Sequence, residues 1–175
     1  KRQKVVDTQP GLAAHTVEAA LSTGQTERMD AEVVLVATGA SPRVLPGAQP
    51  DGERILTWRQ LYDLHELPSH LIVVGSGVTG AEFVSAYTEM GVKVTVVSSR
   101  DRVLRGEDAD AALVLEDVLS ERGVTLVKQA RADSVTRTED GIVVTLSDGQ
   151  TVEGSHALMT VGSVPNTAEL GLENV

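Results

Sequence analysis

The clearest pattern of apolar and polar positions lies near the middle of the chain. An apolar run from Leu71 to Val74 stops at a glycine, and an amphipathic stretch follows from Val78 to Met90. Gly91 then marks a helix end, because glycine adopts the left-handed conformation that follows many helices. A second apolar run covers residues 92–97. The pattern predicts a strand, a helix and a second, parallel strand.

The next segments repeat this alternation. A second amphipathic helix is predicted from Ala109 to Arg122, with Gly123 as its end, and a third strand over residues 124–127. The apolar face predicted for this helix consists of Ala111, Val114, Leu115, Val118 and Leu119. The order β-α-β-α-β predicts an α/β, Rossmann-like fold, in which a parallel sheet carries helices on both faces.

The apolar period changes to two after about residue 130. Asp-Gly pairs at 140–141 and 148–149 are hairpin signals. They predict a three-stranded antiparallel β-meander whose strands are Ser134–Arg137, Ile142–Leu146 and Gln150–Val152. Residues 156–161 form a last apolar run, which we expect to return to the parallel sheet.

The first third of the chain has weaker patterns. Residues 1–30 predict two or three short antiparallel strands with a turn at Pro10-Gly11. The continuous apolar run within AEVVLVATG, residues 31–39, predicts a strand buried on both faces. Residues 46–70 read as a linker. Within it, Thr57 and Gln60 have the capping-box spacing, which predicts a short helix over residues 58–64.

The glycines after the first central strand carry the main chemical signal. Gly75, Gly77 and Gly80 have the spacing G-x-G-x-x-G between a predicted strand and a predicted helix. The first glycine permits the tight turn, the second lets a pyrophosphate approach the backbone, and the third lets the helix lie close to the strand. The alternative is a glycine-rich turn with only a packing role. The complete strand-helix-strand context favours dinucleotide binding.

The residues after the second central strand indicate which dinucleotide is bound. An acidic residue there accepts hydrogen bonds from the ribose of NAD and repels the extra phosphate of NADP. This chain has Ser98 and Ser99, then Arg100, with Arg105 beyond. Guanidinium groups pair well with a phosphate dianion, so NADP is favoured over NAD. Dual use stays open, as does a solvated loop whose arginines are neutralised by neighbouring acids.

Composition narrows the function classes. The formal net charge of −10 and the aromatic content of 2% disfavour nucleic acid as a partner. No apolar run approaches the roughly 20 residues of a membrane span. The chain has no Cys, and its four His residues show no metal-ligand spacing, so no metal site is predicted. The chain opens without Met, which is compatible with a piece of a longer protein.

Three motifs together resemble the pyridine nucleotide-disulfide oxidoreductase family. ATGASPRVLPG at 37–47 is similar to an internal motif of its FAD domain, VVGSGVTGAEF at 73–83 to its NAD(P) fingerprint, and LMTVGSVPNTAEL at 158–170 to the strand leading back to the flavin domain. The amino-acid sequence of these segments is most similar to an actinobacterial, lipoamide dehydrogenase-like branch of NAD(P)H:quinone reductases. The resemblance implies an FAD-domain fragment at 1–45, the linker at 46–70, an NAD(P)-binding domain at 71–162 and a return segment at 163–175.

The resemblance also implies roles for individual residues. Glu82 matches a family glutamate near the nicotinamide and is the candidate catalytic residue. Main-chain groups of Val161 and Gly162 would line the nicotinamide, and Thr38 and Gly39 would approach FAD. The implied NAD(P) contacts in the two loops are Gly75, Ser76, Gly77, Val78, Thr79, Gly80, Ser98, Ser99, Arg100 and Arg105. Val78 departs from the aromatic residue that is common in the family, which puts gating of the pocket in doubt.

The resemblance predicts an FAD-dependent oxidoreductase that passes hydride from NAD(P)H to flavin and on to a small-molecule acceptor of the quinone type. Two alternatives stay open: a lipoamide dehydrogenase or other disulfide reductase whose redox Cys pair lies outside these residues, and a non-catalytic nucleotide-binding module. The full-length protein is expected to be a cytoplasmic homodimer without a membrane span. The isolated segment is expected to bind nucleotide without turnover.

Overall fold

The computed structural model describes residues 2–6 and 15–174. The chain folds as two compact units, Lys1–Ser41 with Val164–Val175 and Pro42–Ser163. The predicted turn at Pro10-Gly11 lies outside the described residues. Among the described residues, no helix has the length and apolar character needed to cross a membrane.

The first unit contains an antiparallel sheet of β1 (Arg2–Val6), β2 (His15–Ala20) and β3 (Thr26–Ala31), in that order. The prediction of short antiparallel strands is therefore confirmed. Asn166 ties the C-terminal part of this unit to the residues before β4 (Ala40–Pro42). Its backbone N–H donates to the Gly39 carbonyl at 2.9 Å, and its side-chain Nδ2 donates to the Thr38 carbonyl at 3.1 Å. A 3₁₀ helix, Leu172–Asn174, follows.

The buried strand predicted over residues 31–39 is wrong for this structure. After β3 ends at Ala31 the backbone is irregular, and Val33 and Leu35 are 83% and 88% exposed. A strand buried on both faces needs a neighbouring strand and a covering layer. The described residues supply neither of these for this run, so most of its apolar side chains stay exposed.

The second unit is built on a five-stranded parallel sheet. Its elements in chain order are β5 (Ile55–Thr57), α1 (Trp58–Leu61), β6 (His70–Val74), α2 (Val78–Glu89), β7 (Lys93–Val97), α3 (Ala109–Glu121), β8 (Thr125–Val127), β9 (Ala132–Arg137), β10 (Ile142–Leu146), β11 (Thr151–Gly154) and β12 (His156–Met159). The parallel strands lie in the order β5-β12-β6-β7-β8, and β11-β10-β9 form the antiparallel meander. The last strand, β13 (Ser163–Pro165), lies mostly in the first unit and pairs with β4.

The two faces of the parallel sheet are covered differently. Along β6, Leu71 and Val73 pack against the helices, whereas Ile72 and Val74 pack against the meander. The predicted α/β class, parallel sheet and meander are thus confirmed. The meander occupies the face on which further helices were expected, because its own apolar side chains, such as Ile142 and Val144, form a layer that buries that face.

The predicted helices and strands mostly lie within two residues of the observed ones, with three differences. Helix α1 ends at Leu61 rather than Leu64, although its capping box from Thr57 is present. Three short strands of three residues each, β4, β5 and β13, were not predicted. In α3, Ala111 and Val114 are exposed, and Ala112 faces the core instead. The predicted apolar face was therefore rotated, because a buried glutamate lies among the inward residues.

Candidate functional site

The turn from β6 into α2 brings the motif glycines together at the carboxyl end of the sheet. Gly75 has φ +115°, and a Cβ there would collide with the carbonyl of Thr160. A Cβ on Gly80 would collide with the Gly75 carbonyl. A side chain at Gly77, by contrast, would meet no atom within 4 Å. The first and third glycines are therefore required for packing, whereas the second leaves an open approach to the backbone.

The N-terminus of α2 faces this open approach. Its N-cap is Gly77, and within the described part of the chain no side chain caps the helix. The first N–H groups of a helix carry a partial positive charge and bind anions. Main-chain groups of Val78 and Thr79 lie at this end, and both residues line the adjoining cavity together with Gly75, Ser76 and Gly77.

The end of β7 forms the second wall of the same cavity, through Ser98, Ser99, Arg100 and Arg105. Ser98 is only 3% exposed. Its hydroxyl lies 2.6 Å from the Ser76 hydroxyl and accepts a hydrogen bond from the Arg100 N–H at 3.0 Å. Ser98 therefore connects the glycine turn to the arginine segment and is largely occupied with internal hydrogen bonds.

Both candidate arginines are available to an anion. Arg105 Nε lies 3.8 Å from Asp101 Oδ1, and both side chains are more than half exposed. Such an exposed, long ion pair is weak. Arg100 has no carboxylate partner within the described residues. Arg102 instead donates to the carbonyls of Arg105 and Glu107, so it supports the loop from within.

The cavity continues to the end of β12 and has a volume of about 970 Å³. Val161 and Gly162 line it there, and Gly162 has φ +108°. The wall that sequence reasoning missed comes from residues 45–47 and 130–133. This wall is closely packed, since a Cβ on Gly47 would collide with the Asp133 carbonyl. The cavity therefore lies at the carboxyl ends of the parallel strands, which is where nucleotides bind in open α/β folds.

Three predicted residues lie elsewhere. Glu82 is exposed on α2 and does not line the cavity. Thr38 and Gly39 belong to the other compact unit, where both are exposed. Gly39 has φ +71°, and the nearest atom to a Cβ there would be Asn166 Nδ2 at 3.9 Å. Val78 is 56% exposed at the cavity and provides no aromatic gate.

Comparison with known proteins decides the family. The whole chain, residues 1–175, matches the family described as pyridine nucleotide-disulphide oxidoreductase. The chain belongs to this family. The resemblance predicted from its three motifs is therefore confirmed.

Two members of this family show how far the similarity extends. The chain is 70% identical over 174 residues to a protein from Mycobacterium tuberculosis named NAD(P)H dehydrogenase (quinone), covering 99% of this chain and 35% of that protein. It is 38% identical over 146 residues to a dihydrolipoyl dehydrogenase from Bacillus subtilis, covering 81% of this chain and 31% of that one. The chain thus spans about a third of the length of these relatives.

The fold agrees with a solved structure of the family. The crystal structure of LpdA from Mycobacterium tuberculosis superposes with a TM-score of 0.86 at 70% identity, over 99% of this chain and 38% of that chain. Family members of this kind use nicotinamide and flavin cofactors, and the geometry fits the first of these. Two packed glycines, one open glycine, an uncapped helix end and two available arginines suit a phosphorylated dinucleotide.

Thr160, which lines the cavity, is the main residue of the candidate site that sequence reasoning missed. Its Oγ1 lies 3.0 Å from the Val74 carbonyl and 3.1 Å from the Gly75 carbonyl, so it fixes the glycine turn from the neighbouring strand. A hydroxyl at the end of an otherwise apolar strand, directly before Val161 and Gly162, was the available signal.

Proposed function

We propose that this chain provides the NAD(P)H-binding part of an FAD-dependent oxidoreductase, which passes hydride from NAD(P)H to flavin and on to a quinone-type acceptor. The observation that carries the proposal is the open backbone at Gly77 beside the uncapped end of α2, in a cavity that also contains Arg100 and Arg105. The similarity to an NAD(P)H dehydrogenase (quinone) supports the choice of acceptor.

In this proposal the residues of the chain bind and orient the nucleotide. N–H groups of Val78 and Thr79 hold the pyrophosphate, and Gly77 permits its approach. Main-chain groups of Val161 and Gly162 hold the nicotinamide end, where Glu82 is the candidate catalytic carboxylate. FAD, when bound, supplies the ring that accepts the hydride. The positive φ and open surroundings of Gly39 are compatible with a close approach of that cofactor to the backbone.

We assign NADP(H) as the preferred nucleotide. Arg100 and Arg105 line the cavity and lack strong carboxylate partners among the described residues, so their charge is available for a 2′-phosphate. Ser98 replaces the acid that would repel this phosphate. A charge-assisted hydrogen bond contributes about 1.5–3 kcal/mol, which corresponds to roughly 10–100-fold in affinity.

The nucleotide assignment is tested by calorimetric titration of the intact protein with NADPH and NADH. Arg100→Ala and Arg105→Ala should each weaken NADPH binding by roughly tenfold or more and leave NADH within about threefold. Arg122→Ala is the matched control, because Arg122 pairs with Glu89 outside the cavity and should change neither affinity. An unchanged NADPH-to-NADH ratio in both arginine variants would rule out the assignment.

The acceptor and the reaction need their own test. Stopped-flow mixing with NADPH should bleach the flavin absorbance of the intact protein, and a benzoquinone should then restore it faster than oxidised lipoamide does. Faster restoration by lipoamide would favour the disulfide reductase alternative, which the similarity to a dihydrolipoyl dehydrogenase keeps in view. Absence of bleaching at millimolar nucleotide would favour a non-catalytic module. The homodimer and the cytoplasmic location stay predictions.

A further inference from the structure

Helix α3 carries a carboxylate where its pattern calls for an apolar residue. Glu116 faces the core on the same side of the helix as Ala112 and Leu119 and is only 6% exposed. Burying a charge is costly unless it is paired and hydrogen-bonded, and well-packed apolar residues at such positions are often at least as stable. The carboxylate therefore calls for an explanation beyond packing.

Both oxygens of this carboxylate are engaged. Oε1 accepts a hydrogen bond from the backbone N–H of Val103 at 2.6 Å, and Oε2 accepts one from Lys128 Nζ at 2.7 Å. Val103 is itself buried and lies between Arg100 and Arg105 in the loop after β7. Lys128 directly follows β8. The Glu116 side chain thus connects helix α3 with the loop from Arg100 to Arg105, called the arginine loop below, and with the end of strand β8.

The groups that Glu116 holds are neighbours of those that shape the cavity. Next to Val103, the N–H of Leu104 donates to the Ser76 carbonyl in the glycine turn at 2.9 Å. Leu104 has φ +51°, a left-handed conformation that is uncommon for any residue other than glycine and costs backbone strain. Next to Lys128, the N–H of Gln129 donates to the Arg100 carbonyl at 2.9 Å. The hydrogen bonds of Glu116 to Val103 and Lys128, called the tether below, therefore act near both ends of the arginine loop.

We propose that Glu116, with Lys128, is a positioning residue for nucleotide selectivity. It holds the loop at Val103 so that Arg100 and Arg105 face the cavity, although Glu116 itself does not line that cavity. The inference rests on the proposed function, in which these arginines recognise the 2′-phosphate. Its consequence is that discrimination between NADPH and NADH depends on a residue that contacts neither nucleotide.

A pair of variants separates positioning from stability. Replacing both partners, Glu116→Leu with Lys128→Leu, removes the tether without leaving a buried unpaired charge. This double variant should stay folded, lower the NADPH-to-NADH affinity ratio about tenfold, and speed hydrogen exchange at Val103 and Leu104. Glu116→Gln keeps an acceptor for the Val103 N–H and should retain most of the ratio. A folding defect alone would weaken both nucleotides alike.

The titrations use the intact protein with NADPH, NADH, 2′,5′-ADP and 5′-AMP, and include two reference variants. Glu89→Gln breaks the exposed ion pair with Arg122 and should leave the ratio unchanged. Arg105→Ala reports on the phosphate assignment itself. If Arg105→Ala lowers the ratio and the double Leu variant does not, the tether is refuted and the proposed function stands. If neither lowers it, the positioning role is refuted, and the ratio in Arg100→Ala then decides whether the NADP(H) assignment fails as well. An equal loss for both nucleotides in the double variant also refutes the positioning role.

Discussion

The motif glycines Gly77 and Gly80 should differ in what a single added methyl group does to the protein. At Gly77 the backbone has φ −76° and ψ −173°, which any residue adopts, and an added Cβ meets nothing within 4 Å. Alanine is a poorer N-cap than glycine by about 0.5–1 kcal/mol. It also reduces the entropy of the unfolded chain, which stabilises by about 0.4–1 kcal/mol. We therefore expect Gly77→Ala to leave the free energy of unfolding nearly unchanged.

Nucleotide binding should respond in the opposite way. Under the proposed function, the added methyl group at Gly77 occupies the space through which a pyrophosphate reaches the first N–H groups of α2. Loss of one charge-assisted hydrogen bond costs about 1.5–3 kcal/mol, or roughly 10–100-fold in affinity. Because NADPH and NADH share the pyrophosphate, both should weaken by the same factor. Their ratio should stay constant, in contrast to the arginine variants.

Two further glycines provide the comparison. Gly80→Ala should destabilise the fold by about 1–3 kcal/mol, because its Cβ meets the Gly75 carbonyl and lies 3.0 Å from Thr160 Oγ1. Gly123→Ala, with φ +87° and no atom within 4 Å of the new Cβ, should lose about 1 kcal/mol through backbone strain alone. Gly123 lies outside the cavity, so this variant should bind nucleotide normally.

Urea unfolding and calorimetric titration of the intact protein measure the two effects separately. The decisive pair is Gly77→Ala, stable with weak binding, and Gly123→Ala, less stable with normal binding. If Gly77→Ala binds both nucleotides with wild-type affinity while its unfolding is unchanged, the phosphates do not approach at this turn and the reasoning is refuted.

Three more predictions concern stability. Burial, followed by the charge of Lys93, lowers the pKa of His70 below its usual 6.5. The neutral imidazole therefore contributes its full stabilisation above about pH 6.5, and this stabilisation is lost as the pH falls further. In urea unfolding between about pH 7.5 and 5, the free energy of unfolding should decline less steeply for His70→Gln than for the wild type. Burial raises the pKa of Asp51, but three backbone N–H groups and Arg137 together lower it more, so the net shift is downward. Asp51→Asn should therefore lower the free energy of unfolding by about 1–2 kcal/mol at pH 7. The difference from the wild type should shrink below about pH 3.8, where the wild-type carboxylate becomes protonated. Thr160→Val should cost about 1 kcal/mol in the same unfolding assay, through its lost hydrogen bonds to the glycine turn, and an unchanged midpoint would contradict that role.

The parts of the fold that sequence could predict are those in which neighbours in the chain decide the conformation. The capping box joins Thr57 to Gln60, only three residues apart. Gly91 and Gly123 end their helices with φ of +81° and +87°. Glycine adopts this conformation without a partner elsewhere in the chain, so the sequence alone could predict both helix ends. The Asp-Gly pairs likewise set the meander's hairpins locally. Together with the apolar runs and the spacing of the motif glycines, these local signals placed the parallel sheet and the glycine turn.

The parts that sequence could not predict depend on contacts across the chain. Strand β5 has only three residues, too few for a periodic signal, and it forms because β12 supplies its hydrogen-bonding partner. The apolar run around Val33 and Leu35 gave a clear strand signal, yet the described residues offer it no sheet to join. Residues 45–47 reach the cavity because Gly47 permits close contact with the meander strand β9, which no local pattern reports.

The proposed selectivity site around Ser98 shows the same division at the level of single side chains. Sequence reasoning used Ser98 as the absence of an acid, and that reading does not depend on where its hydroxyl lies. The structure adds that this hydroxyl holds the Arg100 N–H and meets Ser76, so the residue also sets the geometry of the loop. An acid at this position would have to enter a nearly closed space between the two loops. The carboxylate that this domain does bury, Glu116, accepts the backbone of the same loop from behind. Under the proposed function, selectivity for the phosphate therefore requires two things at once: no carboxylate on the cavity side of the loop, and one on its far side to hold the arginines in place.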